Sequence, residues 1–221
     1  MHGHTRAHAG TARDDARRHA STARDDDGVD ETGPILTAPR RAFIELARRA
    51  VLVTAGSDGT LRPVPVCFAL APPPRDALWT PLDEKPKQSE DPRRLARVRD
   101  ILARPEVALL VDRWDEDWSR LGWLRLVGSA RLLEPDGGRP EEERPGDERS
   151  GEVRPAGVDD RDPDRARATE LAEHAEAVAA LRARYPQYDA HALERLPVIR
   201  VSVSRVVGWG TGLTRSPASR R

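Results

Sequence analysis

Cysteine is all but absent. Cys67 alone occurs in 221 residues, so no intrachain disulfide can form. Within the apolar run PVPVCFAL it reads as a small buried residue. Net charge is absent too. The 37 Lys and Arg residues offset the 37 Asp and Glu residues, and no global basic field points to nucleic acid. No apolar run approaches the roughly 18–20 residues that span a bilayer. The N-terminal stretch lacks the apolar core of a secretory signal. A soluble, cytoplasmic protein with no membrane contact is the expectation. Nucleotide signatures are also missing. There is no Walker loop. Gly208-Trp209-Gly210-Thr211-Gly212 follows a strand pattern with no helix after it, so it fails the context a dinucleotide fold requires. No Ser-His-Asp arrangement follows from spacing. His2, His4, His8 and His19 have neither Cys partners nor a rigid scaffold, so no metal site is expected. His174 and His191 read as surface residues in or near a helix, not as general bases.

The charge that is present is unevenly spread. Residues 1–33 contain almost no large apolar side chain. Such a segment cannot bury enough surface to offset its ordering entropy and reads as a disordered tail. Residues 135–164, rich in Pro, Gly, Glu, Asp and Arg, read as a disordered insert in a folded domain. That domain spans 34–214 and keeps about 150 residues of ordinary composition outside the insert, enough for one core. Residues 215–221 form a short C-terminal tail.

The residue pattern predicts six strands and three helices. Thr37 caps a short helix with Pro39 in its first turn, and Phe43, Leu46, Ala47 and Ala50 recur at helical spacing. Val51 to Ala55 is a strand. Ser57-Asp58-Gly59-Thr60 is a hairpin turn, because Asp-Gly supplies the positive φ such turns need. The partner strand runs from about Leu61 to Leu70. Its prolines, Pro63 and Pro65, point to an edge, a bulge or a place where a ligand covers the backbone. Ala77 to Leu82 is a third strand. Asp91 and Pro92 open a second helix with Leu95, Val98, Ile101 and Leu102 as its apolar stripe. Val107 to Asp112 and Leu124 to Glu134 are strands, with Gly128 as a bulge or a close backbone approach. Asp162 and Pro163 open a third helix, with Leu171, Ala175, Val178, Leu181 and Tyr185 on one face. Val198 to Val207 is the last strand. Helices and strands do not alternate regularly, so a six-stranded antiparallel barrel with peripheral helices fits better than a doubly wound parallel sheet.

Two clusters carry chemistry. Lys85, Lys87, Arg93, Arg94, Arg97 and Arg99 gather after the third strand and around the start of the second helix. Cations beside a helix N-terminus suit a phosphate; a solvated, arginine-rich helix face has the same composition. Trp114, Trp118 and Trp123 lie within VDRWDEDWSRLGW. Tryptophan anchors interfaces and planar ligands, and it also fills hydrophobic clusters at barrel edges.

The order of these pieces resembles a known family. The stretches SDGTLRPVPVCFAL, DEKPK, RRLARVRDILARPEVALLVDRWDEDWSRLGWLRLVGSARLL, LRARYPQY and VIRVSVSRVVGWG are similar to the pyridoxamine 5'-phosphate oxidase-like, FMN-binding-like split β-barrel superfamily. They resemble most its actinobacterial branch of PPOX-class F420-dependent oxidoreductases. The likeness covers about Pro34 to Gly212 apart from the insert. It implies a mainly β split barrel with peripheral helices and a homodimer with the cofactor in a groove between subunits. The cofactor would be coenzyme F420, or FMN as the alternative. Carried over by residue, Lys85 and Lys87 match the phosphate-contacting loop, with Thr80 in the strand leading into it. Pro65, Val66 and Cys67 match the strand that passes the ring. Arg94 and Arg99 are further candidates for the phosphate or the acidic tail of F420. Trp118 and Trp123 match the dimer-side segment. The cofactor would carry the hydride chemistry, so no catalytic side chain is assigned. The chain departs from vitamin B6 oxidases at its end, which reads GWGTGLTRSPASRR where those enzymes have an Arg-Leu-x-Pro segment.

Overall fold

The computed structural model describes residues 33–82, 91–137, 163–210 and 213. Lys85, Lys87, the N-terminal tail and nearly all of the insert lie outside the described residues. The compact unit considered below begins at Pro34. In chain order its elements are α1 (Ala38–Leu46), β1 (Ala50–Ala55), β2 (Leu61–Val66), β3 (Ala69–Leu70), β4 (Ala77–Pro81), α2 (Ala96–Ala103), β5 (Glu106–Arg113), β6 (Gly122–Leu133), α3 (Pro163–Arg184) and β7 (Val198–Gly210).

The strands form one antiparallel sheet in the order β2-β1-β5-β6-β7-β4-β3. Its two edge strands are consecutive in the chain, joined only by Cys67 and Phe68. A flat sheet of this width would hold its edges about 29 Å apart at ~4.8 Å per strand. Three chain steps, from Val66 to Ala69, reach only about 11 Å. The sheet must therefore curl until its edges meet, and the result is a split barrel. The strand count is seven rather than six for the same reason. The continuous strand expected over Leu61 to Leu70 breaks at Cys67–Phe68, where the chain leaves one edge and joins the other.

The prolines agree with the edge position. Pairing of β2 with β1 is unbroken from Leu61 to Val66, and residues two apart turn their N–H positions to the same side. Pro63 and Pro65 thus fall on the side away from β1, where no ladder donor is lost and edge pairing is discouraged. At the β1–β2 turn Gly59 has φ +80°, as the Asp-Gly reading required. Gly128 marks a register shift between β6 and β7. A Cβ there would lie 1.9 Å from the Ser202 carbonyl oxygen, so only glycine allows the strands to approach.

Two cores result. The barrel interior holds Leu52, Leu78, Leu109, Leu124, Leu126 and Ile199, joined by Phe43 and Ile44 of α1 and by Val98 and Ile101 of α2. The second core lies outside the barrel. Ala177, Val178, Leu181 and Tyr185, largely on α3, cover Ala69, Trp79, Leu133 and Val198. The Tyr185 hydroxyl accepts from the Phe68 N–H (3.1 Å) and lies within donating distance of the Phe68 (2.9 Å) and Arg48 (3.0 Å) carbonyls. It pins the joint where the two sheet edges meet.

Several expected details differ. Thr37 makes no side-chain cap to α1, and Leu46 is exposed because the chain turns away at Ala47 toward β1. Asp91 caps a single 3-10 turn, Pro92–Arg94, and α2 proper starts at Ala96. Leu102 is exposed, since α2 buries its Val98–Ile101 side. On α3, Ala175 is exposed and His174 is buried. The ring Nε2 of His174 lies 2.9 Å from the Leu196 carbonyl oxygen, so this histidine ties the helix to the segment before β7. Cys67 is half-buried rather than fully enclosed.

Tyr185→Phe leaves the buried Phe68 N–H without its partner. It is expected to cost about 1–3 kcal/mol, read as a lowered urea midpoint with an unchanged slope.

Candidate functional site

Side chains alternate across a strand, so the registers define what each face of the barrel presents. On the outside, Pro65, Val51, Leu110, Arg125 and Val207 form one row across β2, β1, β5, β6 and β7. Pro63, Val53, Ala108, Val127 and Arg205 form the next row. Asp112, Trp123 and Trp209 lie opposite one another in a third. Leu110 is 38% exposed and Trp209 is 50% exposed. None of these residues belongs to either core. Among the described residues no helix covers this face, because α2 packs into the barrel and α3 covers β3 and β4. At the same end, Trp114 and Trp118 stand exposed in the β5–β6 connection. Asp117 caps its short 3-10 turn through the Ser119 N–H (3.0 Å).

An uncovered face with two tryptophans, four valines and two prolines is unusual for an isolated surface. It offers a largely apolar bed for a planar ring or for another protein surface. Two of the sequence candidates, Pro65 and Trp123, share it. Trp118 borders the same end. Val66 points the other way and is buried at 8% exposure, and Thr80 is buried at 2% on the same side of β4 as Leu78. Cys67 sits at the edge joint.

Arg99 lies elsewhere. It lines a cleft of about 360 Å³ with Ser57, Asp58, Arg62, Asp100 and Ala103, at the turn end of the β1–β2 hairpin. There Asp100, itself buried, accepts from the Thr54 hydroxyl and from Arg62, each at 2.8 Å. That network docks α2 onto the barrel. Arg94 is exposed in the turn before α2, and its neighbour Arg93 pairs with Glu134 at 2.5 Å. The structure therefore does not bring Arg94 and Arg99 onto the apolar face. Sequence reasoning missed Leu110, Arg125, Arg205 and Trp209 as parts of that face. Period-2 alternation in β5, β6 and β7 was the available signal, but it says which residues share a side and not which side remains uncovered. Among the described residues no group of three or more His, Cys, Asp or Glu is placed to hold a metal ion. No described helix is long and apolar enough to cross a membrane.

No protein-family model matches the chain, and no curated protein matches it. Solved structures do resemble it. One is a conserved hypothetical protein from Mycobacterium tuberculosis, 14% identical over 82% of this chain and 90% of that one, with a TM-score of 0.48. Another is a heme binding protein from Mycobacterium smegmatis, 17% identical over 80% of this chain and 55% of that one, TM-score 0.47. A third is the heme storage protein from Vibrio cholerae, 9% identical over 75% of this chain and 89% of that one, TM-score 0.44. At such identities and scores the likeness assigns neither ligand nor reaction to this chain.

Two outcomes follow from the cleft. Asp100→Ala removes the partner of Thr54 and Arg62. It should cost about 2 kcal/mol in denaturant unfolding, less than the roughly 3–5 kcal/mol of a fully buried pair because Arg62 stays partly exposed. The carboxyl of Asp58 is held below its ordinary 3.8, first by the Thr60 N–H, then by the Thr60 hydroxyl and Arg62. Its folded value is the lower one, so its small contribution to the turn is present above pH ~4 and lost as pH falls through the lowered value. An NMR titration of the Asp58 side-chain carbon checks this.

Proposed function

We propose that the chain is a homodimeric oxidoreductase. It would hold coenzyme F420 against the uncovered face and pass hydride to an electron-poor conjugated C=C or C=N acceptor. The single observation that carries this reading is that face: five strands wide, largely apolar, flanked by exposed tryptophans, and bearing Pro65 and Trp123. A second copy laid on it would remove the exposed apolar area from water and leave a groove at its margin for a planar ring. The family resemblance of the sequence supports the choice of a deazaflavin, and F420 carries the anionic phosphodiester and glutamate groups that the cation cluster around Lys85 and Lys87 suits. Such a cofactor supplies hydride transfer when bound. The protein's part is to bind, orient and exclude water, and no general acid is assigned. FMN is the alternative ligand on the same bed, either in an oxidase or reductase or in a non-catalytic flavin or F420 carrier.

The test pairs sedimentation with ligand titration. Analytical ultracentrifugation should find a dimer at micromolar concentration, and Leu110→Glu should dissociate it. Tryptophan quenching should report F420 binding tighter than FMN. Preference for FMN would move the assignment to a flavin protein. Binding without turnover of any acceptor by reduced F420 would make it a carrier. Lys85→Ala with Lys87→Ala should weaken F420 binding by about tenfold or more, the usual size for losing charge-assisted contacts. Unchanged affinity removes the two lysines from the phosphate site.

A further inference from the structure

The uncovered face is not wholly apolar. Arg125 lies on it directly opposite Leu110 on one side and Val207 on the other. Arg205 lies opposite Val127, two residues along β6 from Arg125. The two arginines are therefore diagonal neighbours on adjacent strands, with side chains on the same face and Cβ atoms on the order of 7 Å apart. Both are exposed. Among the described residues neither makes a hydrogen bond or ion pair. Most other arginines that project from this sheet are engaged. Arg62 pairs with Asp100, while Arg131 and Arg200 both pair with Glu173. The acids on the same face are Glu106 and Asp112 of β5. Asp112 is diagonal to Arg125 across β5 and β6 and forms no ion pair with it. Glu106 lies opposite Ser129, two strands away from Arg205.

Two unpaired guanidinium groups side by side repel each other, and any surface that covers the face makes that repulsion costlier by removing water. An anion between them relieves it. Guanidinium forks match phosphate and carboxylate oxygens, and Trp123, two residues from Arg125 on β6, lies opposite Trp209 on β7 to take a ring. We infer that Arg125 and Arg205 form the anion-holding pair of this face, and that its ligand is a planar molecule carrying a phosphate or carboxylate group. This rests on the reading of the face as a cofactor bed, and deepens it. It also replaces Arg94 and Arg99, which lie off the face, as the strand- and helix-borne cations that meet the ligand.

The experiment uses the full-length protein and three probes: FMN, riboflavin, which lacks only the phosphate, and inorganic pyrophosphate as a competitor. Wild type should bind FMN at least about tenfold more tightly than riboflavin, and pyrophosphate should erode that preference. Arg125→Gln and Arg205→Gln should each reduce the preference to about threefold or less while riboflavin affinity stays within about twofold, the pattern of a lost charge-assisted contact. Arg94→Gln and Arg99→Gln should leave the preference intact, and Asp112→Asn should increase it. Circular dichroism and sedimentation of each variant separate this loss from misfolding. A preference unchanged in both Arg125→Gln and Arg205→Gln, or abolished instead by Arg99→Gln, overturns the inference and leaves the cofactor bed standing. Wild-type protein that binds neither flavin nor pyrophosphate, and does not bind F420, overturns both.

Discussion

Two residues, Cys67 and Phe68, separate the two edges of the sheet. Everything else about the architecture follows from that covalent constraint. The chain cannot place consecutive strands on opposite edges of a seven-stranded sheet unless the sheet curls on itself. Curling gives the barrel an inside, and the inside collects the large aliphatic residues of alternate positions. The joint is then a buried break in strand pairing, and its N–H and C=O need partners. The Tyr185 hydroxyl serves them from the C-terminal end of α3. The guanidinium of Arg184 stacks 4.9 Å from the Phe68 ring centre and donates to the carbonyls of Glu45 and Ala47. The segments after α1, between β2 and β3, and after α3 thus meet at one place.

The curl also divides the outer surface. α3 needs an apolar surface for Ala177, Val178 and Leu181, and it finds one over β3 and β4. That leaves β2, β1, β5, the first part of β6 and the second half of β7 without a covering layer among the described residues. A sheet face without cover normally alternates to polar residues. Here it keeps Val51, Val53, Leu110, Val127, Val207 and the Trp123–Trp209 pair. The retained apolar surface is what a functional reading has to explain. The proposed explanation is a ligand bed shared with a second copy.

Arginine does two kinds of work in this fold. Arg41 donates to the carbonyls of Leu36, Ala71 and Arg75, and Asp76 accepts from the N–H groups of Ile35 and Leu36 at 2.8 Å each. These side chains replace secondary structure where irregular segments cross. Arg182 does the same for Tyr188 and His191. Arg125 and Arg205 have no such task. A high arginine content in the sequence therefore says little by itself; the partners separate the structural arginines from those left for a ligand.

The sequence by itself determined the local pieces. Asp58-Gly59 gave the hairpin turn through its positive φ, Gly128 marked a bulge or a close backbone approach, and period-2 and period-3.6 patterns placed most strands and helices within a few residues. It also marked Pro63 and Pro65 as an edge, a bulge or a ligand-covered backbone, because a missing N–H is a property of the residue alone; the sheet order selects the edge. Tertiary structure decided the rest. The break at Cys67–Phe68 is invisible in an apolar run that reads as one strand, since only pairing with two distant partners, β1 and β4, splits it. The burial of His174 depends on Leu196, 22 residues away. Which side of the sheet stays open depends on where α3 docks, and which arginines remain unpaired depends on carboxylates brought from elsewhere in the chain. Local pattern encodes which residues share a face; only non-local packing decides what that face meets.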